Sequence, residues 1–234
     1  MADTLGSARA LARASVISDI KAAARRQVAE HGAASLSVRL VARDLGMSSS
    51  AVYRYFASRD ELLTSLIIDA YDDLGSTVEA AEARVPRDEL DARLLAAAIS
   101  IRAWAVANRH EYALVFGSPV PGYAAPEATI GPAIRVPAVF SGILRDAWEQ
   151  GRLVSPVGPA VASLDPAVHA PPSPLAGLPD AVIVRGILAW TQIFGLISFE
   201  LFGHLVRSVE DGAEFFESAC KSIARSIGIT GDTD

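Results

Sequence analysis

The chain has 234 residues, half of them apolar, a net charge of −6 and one cysteine. That length holds one large domain or a small one joined to a larger one, and the apolar share supplies a substantial core. A single cysteine, Cys220, excludes an internal disulfide framework, and "MADTLGSARALARASVISDI" lacks the apolar core of a secretory signal, so a cytoplasmic location is expected.

The charge is unevenly distributed. Residues 1–60 hold nine cations against five anions, a net +4, and the remainder holds twelve against twenty-two, a net −10. A basic head on an acidic body points to a polyanion partner for the head alone.

The predicted elements are all helical, since runs rich in Ala, Leu, Arg and Glu dominate and no strand-length alternation is bounded by hairpin turns. A first helix is expected from about Ser15 to His31, with Gly32 as its left-handed C-terminal residue. Ser37 is placed to cap a second helix, Val38 to about Leu45, which Gly46 stops. Ser48 or Ser49 caps a third, ending near Phe56. Ser58 caps a fourth, reaching about Ala83, with Asp60 and Glu61 in its first turn.

Further on, Asp88 to Asn108 and His110 to Phe116 read as helices, and "GSPVPGYAAP" reads as a loop. Glu127 to Gly151 reads as a helix that Pro132 and Pro137 start late or kink. Residues 155–179 contain seven prolines and read as an ordered or mobile loop. Two last helices are expected at about Asp180 to Leu205 and Glu210 to Ile227. The longest apolar stretch, Gly186 to Phe199, is too short to span a bilayer unaided, so a buried helix is expected there.

Helix, glycine turn, helix is the geometry of a helix-turn-helix. Leu36, Leu40, Val41, Leu45, Val52 and Phe56 are positioned to pack on Ile20, Ala24 and Val28. The third helix then keeps Ser49, Ser50, Ala51, Tyr53, Arg54 and Tyr55 without a full set of core partners. Small residues let a helix enter a major groove closely, tyrosine hydroxyls donate to phosphates, and arginines supply charge.

The stretch "AEHGAASLSVRLVARDLGMSSSAVYRYFASRDELLTSLI", with Gly32, Leu36, Val41, Ala42, Leu45, Gly46, Val52, Tyr53, Tyr55, Phe56, Arg59, Leu62 and Leu63 in place, closely resembles the N-terminal domain of TetR-family transcriptional regulators. The resemblance implies a homodimeric DNA-binding repressor with a ligand-responsive helical C-terminal domain, dimerising through its last two long helices. The implied division is a DNA-binding domain at residues 1–60 and a ligand-binding and dimerisation domain at residues 61–234. It places Ser37 and Arg39 at the start of the second helix on phosphate or base. Ser48, Ser49, Ser50 and Ala51 fall on base edges, Tyr53 and Tyr55 on the backbone, and Arg59 beside a phosphate where the family commonly has lysine. Arg54, exposed by its spacing, faces backbone or base.

"RHEYALVFGSPVPGYAAP" and "AWTQIFGLISFELFGHL" resemble a TetR C-terminal class named for a Trp-His-Gly signature. Trp190 and Gly195 fit it, and Phe194 stands where that signature has histidine.

For a small hydrophobic effector, the expected lining is Trp104, Tyr112, Phe116, Tyr123, Trp148, Trp190, Phe194 and Gln192, with Arg102, Glu200 and His204 as further polar anchors. Glu200 and His204, four apart, are expected to pair locally. Ile197, Leu201, Phe215, Ala219 and Ile223 are expected at a two-fold four-helix interface, where Gly195, Ser198, Gly203 and Ser222 admit close approach. The fourth helix, joining head to body, is the expected transmitter between effector and DNA.

No metal site or cofactor is expected, because His31, His110 and His169 fall in different segments. No membrane partner is expected. There is no Gly-rich phosphate loop, GxSxG, HExxH or CxxC, so an enzyme is not expected. The alternative to an effector-responsive regulator is a constitutive DNA binder whose C-terminal bundle is purely structural.

Overall fold

The computed structural model describes residues 2–153 and 164–229. Among them the chain forms nine α-helices and three short 3₁₀ turns: α1 (Ala2–His31), α2 (Val38–Asp44), α3 (Ser49–Tyr53), α4 (Arg59–Glu82), α5 (Leu90–Ala107), α6 (Arg109–Phe116), α7 (Ile130–Glu149), α8 (Asp180–Leu201) and α9 (Gly212–Ser226). The all-α expectation holds. The chain divides into two compact units, Met1–Ala70 with His110–Ile130, and Tyr71–Arg109 with Gly131–Asp234.

In the first unit, α1 packs on α2 and α2 on α3. Ile20, Ala23, Ala24 and Val28 recur at helical spacing on α1 and are buried, as are Leu36, Val38, Val41, Ala42, Val52 and Phe56. Leu40, expected in this core, is 41% exposed, because Val38, Val41 and Ala42 already define the inward face of α2 and residue 40 falls on the opposite side. Gly32 and Gly46 hold φ of 78° and 64°, and so turn the chain out of α1 and α2.

α1 begins thirteen residues earlier than expected, at Ala2 rather than Ser15. The intervening run "SARALARAS" is built largely of strong helix formers. α3 is shorter than expected and ends at Tyr53, with Arg54 as its C-cap. Lys21 and Arg25 on α1 both reach Asp69 on α4, at 2.8 and 2.5 Å. The Tyr123 hydroxyl, in the loop after α6, lies 2.9 Å from Thr64 Oγ1 on α4.

In the second unit, α5, α8 and α9 pack against one another. Leu94, Ala97, Ile101, Ile183, Ile193, Ile197, Phe216 and Cys220 are among the buried residues. Burial raises the Cys220 thiol pKa to about 12, which keeps it protonated and unreactive near neutrality. Arg93 is 1% exposed and pairs with Glu82 at 2.5 Å and Asp146 at 2.7 Å, so a buried guanidinium joins α4, α5 and α7. Arg185 donates from Nη1 to the Ile227 carbonyl at the end of α9, where a cation complements the helix dipole.

The apolar stretch Gly186 to Phe199 lies inside α8. By length and composition alone that 22-residue helix is long and apolar enough to cross a membrane, with 39% of its most apolar window buried. α8 stops at Leu201 instead of about Leu205, and Gly203 follows with φ of 81°. α9 starts at Gly212, and Asp211 Oδ1 accepts from the Ala213 and Glu214 N–H groups at 2.8 and 3.1 Å, which holds its carboxyl below the usual range.

Pro132 falls in the first turn of α7, where a missing N–H costs little, and Pro137 lies inside that helix. Of the proline-rich segment, residues 155–163 lie outside the described residues. Its remainder forms turns and a 3₁₀ turn, Pro166–His169.

Candidate nucleic-acid interface

Arg39 of α2, Ser50 and Tyr53 of α3 and Arg54 at the C-cap of α3 are exposed, while Ser37, Ser49, Ala51 and Tyr55 are half-buried. Sequence and geometry cooperate here. Val52 is the fully buried anchor of α3, so the residues flanking it turn outward. Ser48 fixes the start of the helix: its hydroxyl accepts from the Ala51 N–H at 3.2 Å and lies 3.0 Å from Ser50 Oγ. Ser37 sits at the N-cap of α2 without a side-chain cap bond; its N–H donates to Gln27 Oε1 at 3.1 Å, tying the start of α2 to α1.

Arg59 makes contacts that sequence spacing did not reveal. Its Nε donates to the Leu36 carbonyl at 3.0 Å and its Nη2 to the Ala33 and Ala34 carbonyls at 3.0 and 3.1 Å. Nη1 meets Asp60 Oδ1 at 3.0 Å. Four of the five guanidinium hydrogens are thereby occupied, leaving one on Nη1 free to meet a phosphate. Only a planar fork spans three carbonyls in this way, which gives a physical reason for arginine here. Arg13, not singled out in the sequence, stands over the Tyr55 ring at 5.0 Å.

The eight residues expected around an effector divide between the units. Tyr112, Phe116 and Tyr123 belong to the first; Tyr112 is fully buried with its ring centroid 5.1 Å from that of Phe116. Trp104, Trp148, Trp190, Gln192 and Phe194 belong to the second. There Trp190 stacks on Phe194 at 4.1 Å and meets Phe140 edge-on at 5.8 Å. Trp104 is buried, with its indole N–H donating to Asp73 Oδ2 at 2.6 Å. Trp148 is 48% exposed, and the Gln192 amide turns back to the Leu188 carbonyl at 3.1 Å.

Glu200 pairs with Arg102, at 2.7 Å from Nε and 2.5 Å from Nη2, rather than with His204. His204 lies past the end of α8 and packs against the Phe199 ring at 5.2 Å.

α8 and α9 enclose an open apolar groove of about 540 Å³, lined by Thr191, Gln192, Gly195, Leu196, Phe199, Ala219, Ser222, Ile223 and Ser226. Of the five residues expected at a dimer interface, Ala219 and Ile223 line this groove. Phe215 is exposed, Leu201 is half-exposed, and Ile197 is spent in the protomer's own core.

Residues 20–66 match the family model of bacterial regulatory proteins of the tetR family, and residues 94–223 match the tetracyclin repressor-like C-terminal domain. This chain belongs to the TetR family. It is 43% identical over 197 residues to the HTH-type transcriptional regulator Rv1816 of Mycobacterium tuberculosis (strain ATCC 25618 / H37Rv), covering 82% of this chain and 83% of that one. The crystal structure of the regulatory protein SCO4313 is 33% identical, with a TM-score of 0.72 over 90% of this chain and 96% of that chain. The TetR-family regulator PfmR from Thermus thermophilus shares the fold at 20% identity, with a TM-score of 0.59 over 89% of this chain and 98% of its own. The protein is therefore a DNA-binding transcriptional regulator and not an enzyme.

Proposed function

We propose that the protein is a homodimeric repressor that leaves its operator when a small hydrophobic effector binds. The observation that carries the dimer is the α8–α9 groove. It is apolar, open, and lined in part by Gly195, Ala219 and Ser222, whose small side chains suit the close approach of a second copy of the same two helices. Two heads in one dimer would read half-sites about one helical turn apart, roughly 34 Å.

On each head, Arg39, Ser49, Ser50, Ala51, Tyr53 and Arg54 form the reading surface, with Ser37 and Tyr55 at its edges. Ser48 and Arg59 hold that surface in shape and lie within reach of the backbone. Small residues at the start of α3 favour close groove entry, with phosphate contacts supplying most of the affinity.

For the effector, the aromatic set of the body, Trp104, Trp148, Trp190 and Phe194, supplies apolar walls. Repression is relieved only if the effector binds the free dimer more tightly than the DNA-bound one, by the factor through which it weakens DNA binding. The alternative of a constitutive binder is favoured by one observation: Trp190, Phe194 and Phe140 already pack on one another, as a structural core would.

A mobility-shift titration on the intergenic duplex next to the protein's own gene, with and without hydrophobic ligands found by thermal shift, tests the reading. Binding that a ligand weakens supports the sensor. Binding indifferent to every ligand that raises the melting temperature supports the constitutive form.

A further inference from the structure

Residues 9–15 of α1 have no core to explain their helix. From Arg9 to Ser15 every side chain is exposed, Leu11 by 69%, and from Arg9 onward the first buried residue is Ile20. Helices in water are held mostly by packing of an amphipathic face, so an extension without one invites another explanation. Arg9 and Arg13 lie four residues apart on one face, about 6 Å along the axis. Neither forms an ion pair with a carboxylate among the described residues, although Lys21, Arg25 and Arg26 farther along the same helix all do. Arg13 is not free to point anywhere: its guanidinium stands over the ring of Tyr55, just after the recognition helix α3.

We infer that the upstream turns of α1 form a second DNA-contacting element, in which Arg13, seated on Tyr55, and Arg9 one turn before it neutralise phosphates flanking the half-site read by α3. The inference rests on the DNA-binding reading of the α2–α3 surface and extends it to a segment outside the helix-turn-helix. The occupant is a nucleic-acid backbone rather than an acidic protein because the aromatic seat belongs to the DNA-reading turn. Charges on one strand recur about every 3.4 Å of axis, so two arginines about 6 Å apart can serve phosphates of the same strand. Because they touch backbone, they add affinity and salt dependence without sequence preference.

The test is fluorescence-anisotropy titration of the full chain over a salt series on two duplexes, the intergenic one and a random sequence of equal length. The proteins are wild type, R9A/R13A and R13K. Both arginines are exposed, so the variants keep their fold, checked by melting. The expected result is a slope of log K against log salt that falls by about 0.9 per lost arginine per bound head on both duplexes. R13K, which keeps the charge, should keep the slope. An unchanged slope in R9A/R13A overturns the inference, as does R13K behaving like an alanine variant, which would make Arg13 a packing residue for Tyr55. Wild type that binds neither duplex at low salt instead overturns the parent reading of the α2–α3 surface.

Discussion

Arg135 of α7 lies across Gly75 of α4, so closely that a β-carbon on residue 75 would stand 2.8 Å from its Nε and 2.9 Å from its Cβ. From that position the guanidinium reaches Glu79 at 2.9 and 2.6 Å and Asp72 at 2.9 Å, one helical turn to either side of the glycine. The glycine is a groove for the arginine, and the two carboxylates hold it there. In the second unit this is a direct clasp between α4 and α7, beside the bridge that Arg93 of α5 makes to both helices.

Gly75→Ala should therefore lower the melting temperature, because the new methyl displaces Arg135 from both carboxylates. The same change in an Arg135→Ala background should cost less, because the carboxylate pairs are already gone, but not become favourable, because residue 135 keeps its own β-carbon 2.9 Å from the new methyl. Differential scanning calorimetry of the four proteins in the cycle reads the sign. A stabilising Gly75→Ala in the wild-type background would show that Arg135 does not depend on the groove.

The clasp also has a pH signature. The hydrogen bond from Arg135 holds the Glu79 carboxyl below its ordinary value of 4.5. A carboxylate depressed in the folded state stabilises fully above its unfolded pKa and loses that contribution as pH falls through the folded one. The difference in melting temperature between wild type and Glu79→Gln should be constant from pH 7 to about pH 5.5, shrink below 4.5, and vanish in more acid solution. A difference independent of pH down to 3 would mean that the ionised carboxylate contributes nothing there.

Arg59 was expected beside a phosphate, yet its donors bind the carbonyls of residues 33, 34 and 36. Charge-assisted hydrogen bonds of this kind contribute about 1–2 kcal/mol net when partly exposed. Arg59→Lys and Arg59→Ala should both lower head stability by about that amount, because an ammonium cannot span three carbonyls. If the remaining Nη1 hydrogen also meets a phosphate, Lys keeps the salt slope of DNA binding and Ala loses about 0.9 per head. Thermal melts and salt-series titrations on the same pair of variants separate the two tasks. Equal stability of all three proteins would refute the clamp.

The helix-turn-helix was legible because glycine stops, serine caps and apolar spacing agree within some thirty residues. Arg59 was half legible: its place at the start of α4 could be read, but sequence carries no trace of which carbonyls a long side chain will find. The same limit hid Arg13, which lies 42 residues from Tyr55 and in a stretch read as preceding the first helix. The aromatic inventory of the body shows a different limit. Composition gathers Tyr112, Phe116 and Tyr123 with the tryptophans, whereas the fold assigns them to separate compact units. Glu200 and His204 had helical spacing, but α8 ends between them, and Arg102, distant in sequence, takes the carboxylate.

Gly195 offers the sharpest test of assembly. A β-carbon built there meets nothing within 4 Å in the protomer, so a larger side chain costs the isolated chain little packing. It would project into the groove between α8 and α9, beside Ala219 and Ser222. If a second copy seats its own α8 and α9 there, Gly195→Glu places a carboxylate on each side of a two-fold axis, where like charges oppose in an apolar interface. The variant should fold, sediment as a monomer at micromolar concentration where wild type is a dimer, and lose most operator affinity, because single heads forgo the joint binding of two half-sites. Gly195→Ala, which adds only a methyl, should remain dimeric or weaken slightly. Sedimentation velocity with a circular-dichroism check of helicity measures both. A folded Gly195→Glu protein that stays dimeric would remove the α8–α9 groove as the interface and send the search to the other exposed apolar residues, beginning with Phe202 and Val206 beyond the end of α8.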